Sequence, residues 1–432
     1  MVTYLPRVVD GILNNKLSKS GAVLIEGPKW VGKTRSAENV CRSAFYIEGY
    51  EQAERIRGAL SGDSYVLKGD IPRLIDEWQV VPAIWDKVRF AVDHRDGPGQ
   101  FVLTGSSVPL EEATLHSGAG RFAIVRMRTM SLFESKESNG TISLRDLFDG
   151  TAQDSMTDLT LDGIAHAMVR GGWPKAVTED NGSDPGYYVK EYLNIVMGSD
   201  MNRMLYNSLS EGEETGRKRE GKVRLVTDRI IRSISRNIST SVNYRTILRD
   251  VNAQDSLISE PTLRKYILVL ERMFILENLE AWNNHIRSRT TLVKSAKWNF
   301  TDPSIAAAAL SIGEEKLLRD FESMGLLFES MCLRDVRIYS EPLGAEVFYL
   351  RNDNGYEVDF IVQSSDGRWG AFEVKLGDSQ YDDAARNLLK LREFVDTSKC
   401  GEPSFLAILT GMPYGYTRDD GIKVVPIGCL RD

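Results

Sequence analysis

Histidine and cysteine are scarce in this 432-residue chain. The four histidines (His94, His116, His166, His285) and four cysteines (Cys41, Cys332, Cys400, Cys429) are scattered, with no CxxC pair and no ligand spacing. That excludes a structural zinc site and fits the reduced thiols of a cytosol. A metal, if one is used, is expected to be magnesium held by oxygens. Long apolar runs are missing as well: nothing approaches the roughly 20 residues of a membrane span. The opening MVTYLPRVVDGI also lacks the charged-then-apolar layout of a signal peptide. A cytoplasmic location and no membrane partner are the expectation. A net positive charge is absent too, at −7, which excludes a uniformly basic coat for nucleic acid.

What is present begins with length, enough for roughly two to four domains with cores of their own. Charge is unevenly spread. From Arg217 to Lys297 there are 17 Lys or Arg against 8 Asp or Glu. A basic middle in an acidic protein is the footprint of phosphate binding, and DNA is the partner expected of segment 217–297. A solvated helix face is the plainer alternative.

In the first 150 residues, AVLIE (22–26), SAFYIE (43–48), PRLIDE (72–77), QFVLTGS (100–106) and FAIVRM (122–127) read as strands. They are continuous apolar runs, as a parallel sheet covered on both faces requires. Helical stretches at Thr34–Arg42, Glu51–Leu60 and Trp85–Asp93 alternate with them, predicting a three-layer α/β domain. Residues 157–209 read as helical with a break at Gly171–Gly172, and SEGEETGRKREGK (210–222) reads as a loop or linker. Residues 224–282 give three short helices and a strand-like end. The last third returns to strands: EVFYLR, YEVDFIVQ and WGAFEVKL, joined by Asn/Asp-Gly turns, form a meander. A helix (382–395) and the strand PSFLAILT follow.

GPKWVGKT (27–34) satisfies G-x-x-x-x-G-K-[ST], with a strand running in and a helix running out. Gly27, Pro28, Lys29, Val31, Gly32, Lys33, Thr34 and Arg35 are the candidate nucleotide-binding residues. Glycines let backbone N–H groups approach the phosphates, Lys33 reaches the β/γ-phosphates, and Thr34 binds Mg²⁺. In RLIDEWQ, an apolar strand ends in two acids. Asp76 is the candidate for the magnesium shell and Glu77 for polarising the attacking water. Thr104 and Ser106, ending the next strand, are candidates to sense the γ-phosphate.

GPKWVGKT, LIDEWQ, WDKVRFAVD, FVLTGSS, HSGAGRFAIVRMRTMSLFE and GGWP, in this order, resemble successive signatures of an AAA+-type ATPase family of archaea and bacteria. That resemblance covers essentially the whole chain. It implies an AAA+ module using ATP and Mg²⁺, a winged-helix segment and a C-terminal restriction-endonuclease-like domain of unknown function. By the same resemblance Arg121 in GAGR is the charge-stabilising arginine, within its own subunit or on a neighbour's nucleotide, with a homo-oligomer in the second case. Arg89 and Arg170 compete with it, and a structural ion pair is the alternative role.

In the middle, the helix Pro261–Phe274 would offer Arg264 and Lys265 as a recognition helix, with Arg217, Lys218 and Arg219 tracking the backbone. At the end, Asp359 lies mid-strand in YEVDFIV, and Glu373 and Lys375 share one face of the next strand in FEVKLG. Two carboxylates can hold Mg²⁺ while a lysine positions water. The arrangement resembles the PD-(D/E)XK nuclease fold, with Glu329 matching a helical acid that some members add, although Val358 stands where that pattern has proline.

The expected architecture is α/β: an AAA+ P-loop domain (1–150), a helical lid and linker (151–222), a winged-helix-like domain (223–300) and a PD-(D/E)XK-like domain (301–432). The expected function is Mg-dependent ATP hydrolysis coupled to DNA binding, with DNA cleavage by the C-terminal domain left open. Its rival is a nucleotide-switched regulatory or protein-binding scaffold whose last domain is catalytically silent.

Overall fold

Five short apolar runs in the first third become one parallel sheet. The computed structural model describes residues 4–47, 49–59, 65–105, 120–180, 182–206, 217–240, 242–255, 257–282, 297–352 and 355–432. The chain divides into two units, Met1–Arg128 with Arg272–Phe274, and Thr129–Glu271 with Ile275–Asp432.

In the first unit the order is α1 (Val8–Leu17), β1 (Ala22–Glu26), α2 (Lys33–Val40), β2 (Ser43–Tyr46), α3 (Gly49–Ala59), β3 (Arg73–Asp76), α4 (Ala83–His94), β4 (Phe101–Gly105) and β5 (Phe122–Arg126). In the sheet they lie β2-β3-β4-β1-β5, every pair parallel. The chain leaves β1 for the far edge, returns through β3 and β4, and crosses to the other side of β1 for β5. The carboxyl ends of β1, β3 and β4 therefore lie side by side, where α/β sheets bind ligands. Ile75, Ile84, Val88, Phe101 and Leu103 pack a dry core on one face, and Trp85 stacks on Phe122 at 3.9 Å.

The second unit runs β6 (Ile142–Ser143), α5 (Leu144–Asp149), β7 (Ser155–Met156), α6 (Leu161–Arg170), α7 (Pro174–Thr178), α8 (Tyr187–Ile195), α9 (Met201–Tyr206), α10 (Arg217–Arg236), α11 (Tyr244–Val251), α12 (Glu260–Arg272), β8 (Leu276–Leu279) and β9 (Lys297–Phe300). It continues with α13 (Pro303–Ala309), α14 (Glu314–Leu317), α15 (Phe321–Ser340), β10 (Ala345–Arg351), β11 (Glu357–Ser364), β12 (Trp369–Lys375), α16 (Tyr381–Phe394), α17 (Thr397–Cys400), β13 (Phe405–Thr410), β14 (Tyr414–Thr417), β15 (Lys423–Pro426) and β16 (Leu430–Arg431). A seven-stranded sheet has the order β10-β11-β12-β13-β15-β14-β7. β10, β11 and β12 form the antiparallel meander read from the sequence, and β13 joins β12 in parallel. Trp282, Trp369, Leu388, Leu391 and Ile408 belong to its core.

One local expectation is corrected. Residues 217–222, read as the end of a polar linker, are the first turns of the 20-residue helix α10. Val223, Val226, Ile230 and Ile234 are buried, and their 3-4 spacing gives the helix one apolar stripe that packs. The rest of that stretch, 210–216, lies outside the described residues.

The GGWP break has a packing explanation. Gly172 N–H donates to Asp302 Oδ2 at 2.9 Å, and a Cβ at Gly172 would lie 2.0 Å from the Met130 carbonyl oxygen. Trp173 Nε1–H donates to Ser304 Oγ at 3.1 Å. Asp302 also accepts from Thr129 at 2.7 Å and pairs with the buried Arg334 at 3.1 Å, which in turn pairs with Asp335 at 2.7 Å. This fully buried ionic hub ties the start of the unit to α13 and α15.

Candidate nucleotide site and the C-terminal carboxylate cluster

The loop after β1 is shaped by backbone that side chains rarely adopt. Gly27 has φ 151° and Gly32 φ 96°. A Cβ at Gly27 would lie 2.1 Å from the Met127 carbonyl oxygen, so glycine is required there by both conformation and space. Gly32 caps α2, so the helix's amino-terminal N–H groups face the loop, as anion binding requires. Trp30 sits at φ 67° with its side chain exposed. Two buried cations brace this loop. Arg7 donates to the Val31 and Arg128 carbonyls at 3.0 and 2.9 Å. Lys33 Nζ donates to the Gly27 and Pro28 carbonyls at 2.9 and 2.7 Å. Burial pulls the Lys33 pKa down to about 8, against the opposing pull of Glu77 and Asp76.

The second half of the site comes from β3 and β4. Thr34 Oγ1 donates to both Asp76 carboxylate oxygens, at 3.1 and 3.2 Å, and Thr104 donates to Asp76 Oδ1. The structure thus brings together Thr34, Asp76 and Thr104, three residues named from separate motifs; Ser106 lies outside the described residues. Glu77 follows in left-handed backbone, φ 56°, and its carboxylate accepts from Gln79 Nε2. Hydroxyl and carboxylate oxygens of this kind fit Mg²⁺. Arg35, by contrast, pairs with Glu38 on the outer face of α2 at 3.0 Å.

Arg121 lies elsewhere. Its carbonyl accepts from Ala22 N–H, which puts it at the amino-terminal edge of the sheet. The five residues of β1, roughly 13 Å at about 3.3 Å per step, separate that edge from the loop. The Arg121 side chain pairs with Asp93 at 2.6 Å and remains 40% exposed. Arg89 also reaches Asp93, at 3.4 Å. Arg170, in the second unit, is held by Glu137 at 2.6 Å and Asp180 at 3.5 Å.

Much of the basic segment is committed internally. Arg229 donates to the Val251 carbonyl and Gln254, and Arg236 pairs with Asp250. Arg264 pairs with Glu260 at 2.7 Å and lies 3.9 Å over the Tyr244 ring. Arg217, Lys218, Arg245, Arg249 and Lys265 keep exposed positions. Residues 283–296 of this segment lie outside the described residues.

In the second unit the C-terminal residues do converge. The β11–β12 ladder runs to the pair Phe360↔Phe372. Beyond it the Asp359 carboxylate, rather than a backbone carbonyl, accepts from Val374 N–H at 2.8 Å. Lys375 Nζ lies 2.9 Å from Glu373 and 3.7 Å from Asp359. Asn387 of α16 donates to Glu373 Oε1 at 2.7 Å. Sequence reasoning missed Lys297, counted only among the basic residues, and Glu357. Lys297 is buried, bonded to Glu357, and 3.8 Å from Glu329, so Glu329 does join the cluster. Burial and the neighbouring Asp359 push the Glu373 carboxyl up, and burial does the same to Glu329. Burial alone would pull Lys297 and Lys375 down, but the surrounding carboxylates hold both above their ordinary range. Among the described residues no three His, Cys, Asp or Glu side chains gather as metal ligands. Asp359 and Glu373 share Lys375, and Lys297 lies between Glu329 and Glu357, so two ammonium groups offset part of the charge of four carboxylates.

Comparison with known proteins agrees with the first site. Residues 19–136 match an AAA domain. Residues 161–316 and 324–430 match two domains of unknown function, DUF8612 and DUF4143. The first unit carries an AAA-type ATPase domain. That match, with the loop geometry, supports nucleotide binding and hydrolysis. An uncharacterized protein of Mycobacterium tuberculosis is 23% identical over 373 residues, covering 84% of this chain and 72% of that one; a Mycobacterium bovis protein matches equally. Among solved structures, a Walker-type ATPase of Pyrococcus abyssi superposes with TM-score 0.41 at 16% identity, covering 71% of this chain and 96% of that one. The Thermotoga maritima RuvB Holliday junction branch migration motor gives 0.26 at 16%, covering 62% and 88%. With scores this low, the α/β assignment rests on the strand order and the loop. Among the described residues no helix is long and apolar enough to cross a membrane.

Proposed function

We propose that this chain is a Mg-dependent ATPase whose hydrolysis is coupled to DNA engagement. The convergence of Thr34, Asp76 and Thr104 beside the Lys33 loop carries the reading. Thr34 and Asp76 would hold Mg²⁺, which supplies charge neutralisation at the β/γ-phosphates. Lys33 adds positive charge at the same phosphates, and Glu77 takes a proton from the attacking water. Arg121, at the far edge of its own sheet, would serve the nucleotide of a second copy in a homo-oligomer. Proposed domain limits are 1–150, 151–216, 217–300 and 301–432, the third starting at Arg217 so that α10 stays whole; α10, α11, α12 and the β8–β9 ribbon would form the winged helix. DNA would meet the exposed Arg217, Lys218, Arg245, Arg249 and Lys265. The test is ATP turnover with and without single- and double-stranded DNA at about 50 and 200 mM salt, the range over which phosphate neutralisation weakens most visibly. Stimulation that fades with salt supports phosphate neutralisation by these side chains; turnover unaffected by DNA, or by Lys33→Ala, overturns the corresponding half.

The order α15, β10–β12, α16, β13 supports a PD-(D/E)XK-like last domain with Asp359, Glu373 and Lys375 at its centre. Partial neutralisation of the four carboxylates by Lys375 and Lys297 favours a silent scaffold over a live nuclease. Cleavage of DNA in Mg²⁺ by wild type, abolished in Asp359→Ala and Lys375→Ala, would reverse that preference.

A further inference from the structure

The turn after β3 is built around a strained residue. Glu77 sits at φ 56°, ψ 39°, a region that costs a residue with a side chain about 1–2 kcal/mol. Its neighbours must therefore impose the conformation. The effect of the turn is to fold Gln79 back so that Nε2 donates to the Glu77 carboxylate. The other end of the same amide, Oε1, is buried and has no hydrogen-bond partner among the described residues. An acceptor left in that state is costly.

What Oε1 faces is defined by a glycine. Gly105, the last residue of β4, has no left-handed backbone to explain it. A Cβ there would lie 2.6 Å from Gln79 Oε1 and 3.2 Å from Trp78 Nε1. Space, not conformation, requires the glycine: the Gln79 amide packs against its bare backbone between the ends of β3 and β4. The amide seated there holds the carboxylate read as the acceptor of a proton from water.

We propose that Gln79 is a positioning residue for the water that attacks ATP, an inference resting on the hydrolysis reading above. Nε2 holds the Glu77 carboxylate in the orientation from which it accepts a hydrogen of that water. The water's lone pair is thereby left for phosphorus. Its oxygen bonds to the γ-phosphorus as the bond to the β–γ bridging oxygen breaks, its proton passes to Glu77, and ADP and phosphate leave. Gly105 is the room this arrangement needs.

The experiment compares wild type, Gln79→Ala, Gln79→Asn, Gly105→Ala and Lys33→Ala, with ATP turnover and ADP affinity by calorimetry measured on each. Gln79→Ala is expected to lower kcat about 100-fold or more, within the usual range for mispositioned acid–base groups, while the ADP Kd moves less than about threefold. Gly105→Ala, whose Cβ would meet the Gln79 amide at 2.6 Å and displace it from Glu77, is expected to lose kcat to a similar degree at unchanged ADP affinity. Gln79→Asn, one methylene short, is expected to recover part of the loss. A Gln79→Ala protein within about threefold of wild-type kcat, or one whose affinity falls in step with kcat, overturns the role while hydrolysis stands. Absent wild-type turnover, or turnover that survives Lys33→Ala, overturns the hydrolysis reading and this one with it.

Discussion

Arg121 donates to Asp93 across 2.6 Å, and the pair stands at the opposite edge of the sheet from its own phosphate loop. A charge-stabilising arginine must touch the transferring phosphoryl group, so the role proposed for Arg121 requires another molecule's nucleotide. Arg121→Ala is expected to lower ATP turnover by about 10³-fold, the low end of what such arginines supply, with ADP affinity little changed. Mixed with the separately inactive Lys33→Ala protein, it should regain measurable turnover, because each supplies what the other lacks. A mixture as inactive as its parts would assign Arg121 to its ion pair alone.

Arg7 offers a different test of the same site, since it touches the loop's backbone rather than a ligand. Its guanidinium bridges the Val31 and Arg128 carbonyls from a buried position. Charged hydrogen bonds of this kind contribute about 1.5–3 kcal/mol. Arg7→Met should lower the melting temperature and weaken ADP binding about tenfold, by freeing the loop. Arg7→Lys should recover little, as an ammonium lacks the fork that spans two acceptors. Affinity retained in a destabilised Arg7→Met protein would show that the brace serves the fold alone.

These two arginines mark where the sequence is legible. The loop, Asp76, Glu77 and the five strands are encoded locally, in contiguous apolar runs and fixed spacings, and strand ends differ from the structure by about two residues at most. Arg7 carries no such signal, because its partners lie 24 and 121 residues away. Gln79 carries none either, since its meaning comes from the left-handed turn at Glu77. The segment 217–222 reads as a linker because Gly221 and its charged neighbours obscure an apolar stripe that begins at Val223. Lys297 reads as surface charge because charge density says nothing about which side of β9 faces the core.

The buried hub yields a pH dependence. Burial pushes the Asp335 carboxyl up to about 6 against the attraction of Arg334. Asp335 thus binds its proton more tightly folded than unfolded. The stability it contributes is complete below the ordinary 3.8 and is lost as pH rises through about 6. Asp302 runs the other way: burial opposes it, but Arg334, Ser304, Thr129 and Gly172 hold it low. Its contribution is present above the ordinary value and lost as pH falls below it. Between about pH 4 and 6, denaturant midpoints should therefore show an Asp335-dependent decline. Its slope is at most about 1.4 kcal/mol per pH unit for one proton. Asp335→Asn should remove this decline; the same slope in both proteins would place the titration elsewhere.

Lys297 separates a structural charge from a nucleic-acid ligand. If it were one more member of the basic segment, replacing it would weaken DNA binding and cost the fold less than about 0.5 kcal/mol. Its burial between Glu329 and Glu357 predicts the reverse. Lys297→Met leaves two carboxylates without their shared cation and should destabilise by about 3–5 kcal/mol, with DNA affinity and its salt slope unchanged. Lys297→Met with Glu357→Gln should be less destabilised than the single change, by a coupling of about 0.5–3 kcal/mol. Arg217→Ala and Lys218→Ala should do the opposite: stability held, and a salt slope reduced by about 1 for each phosphate no longer neutralised. Equal effects of Lys297 and Arg217 on DNA binding would contradict the assignment of Lys297 to the cluster.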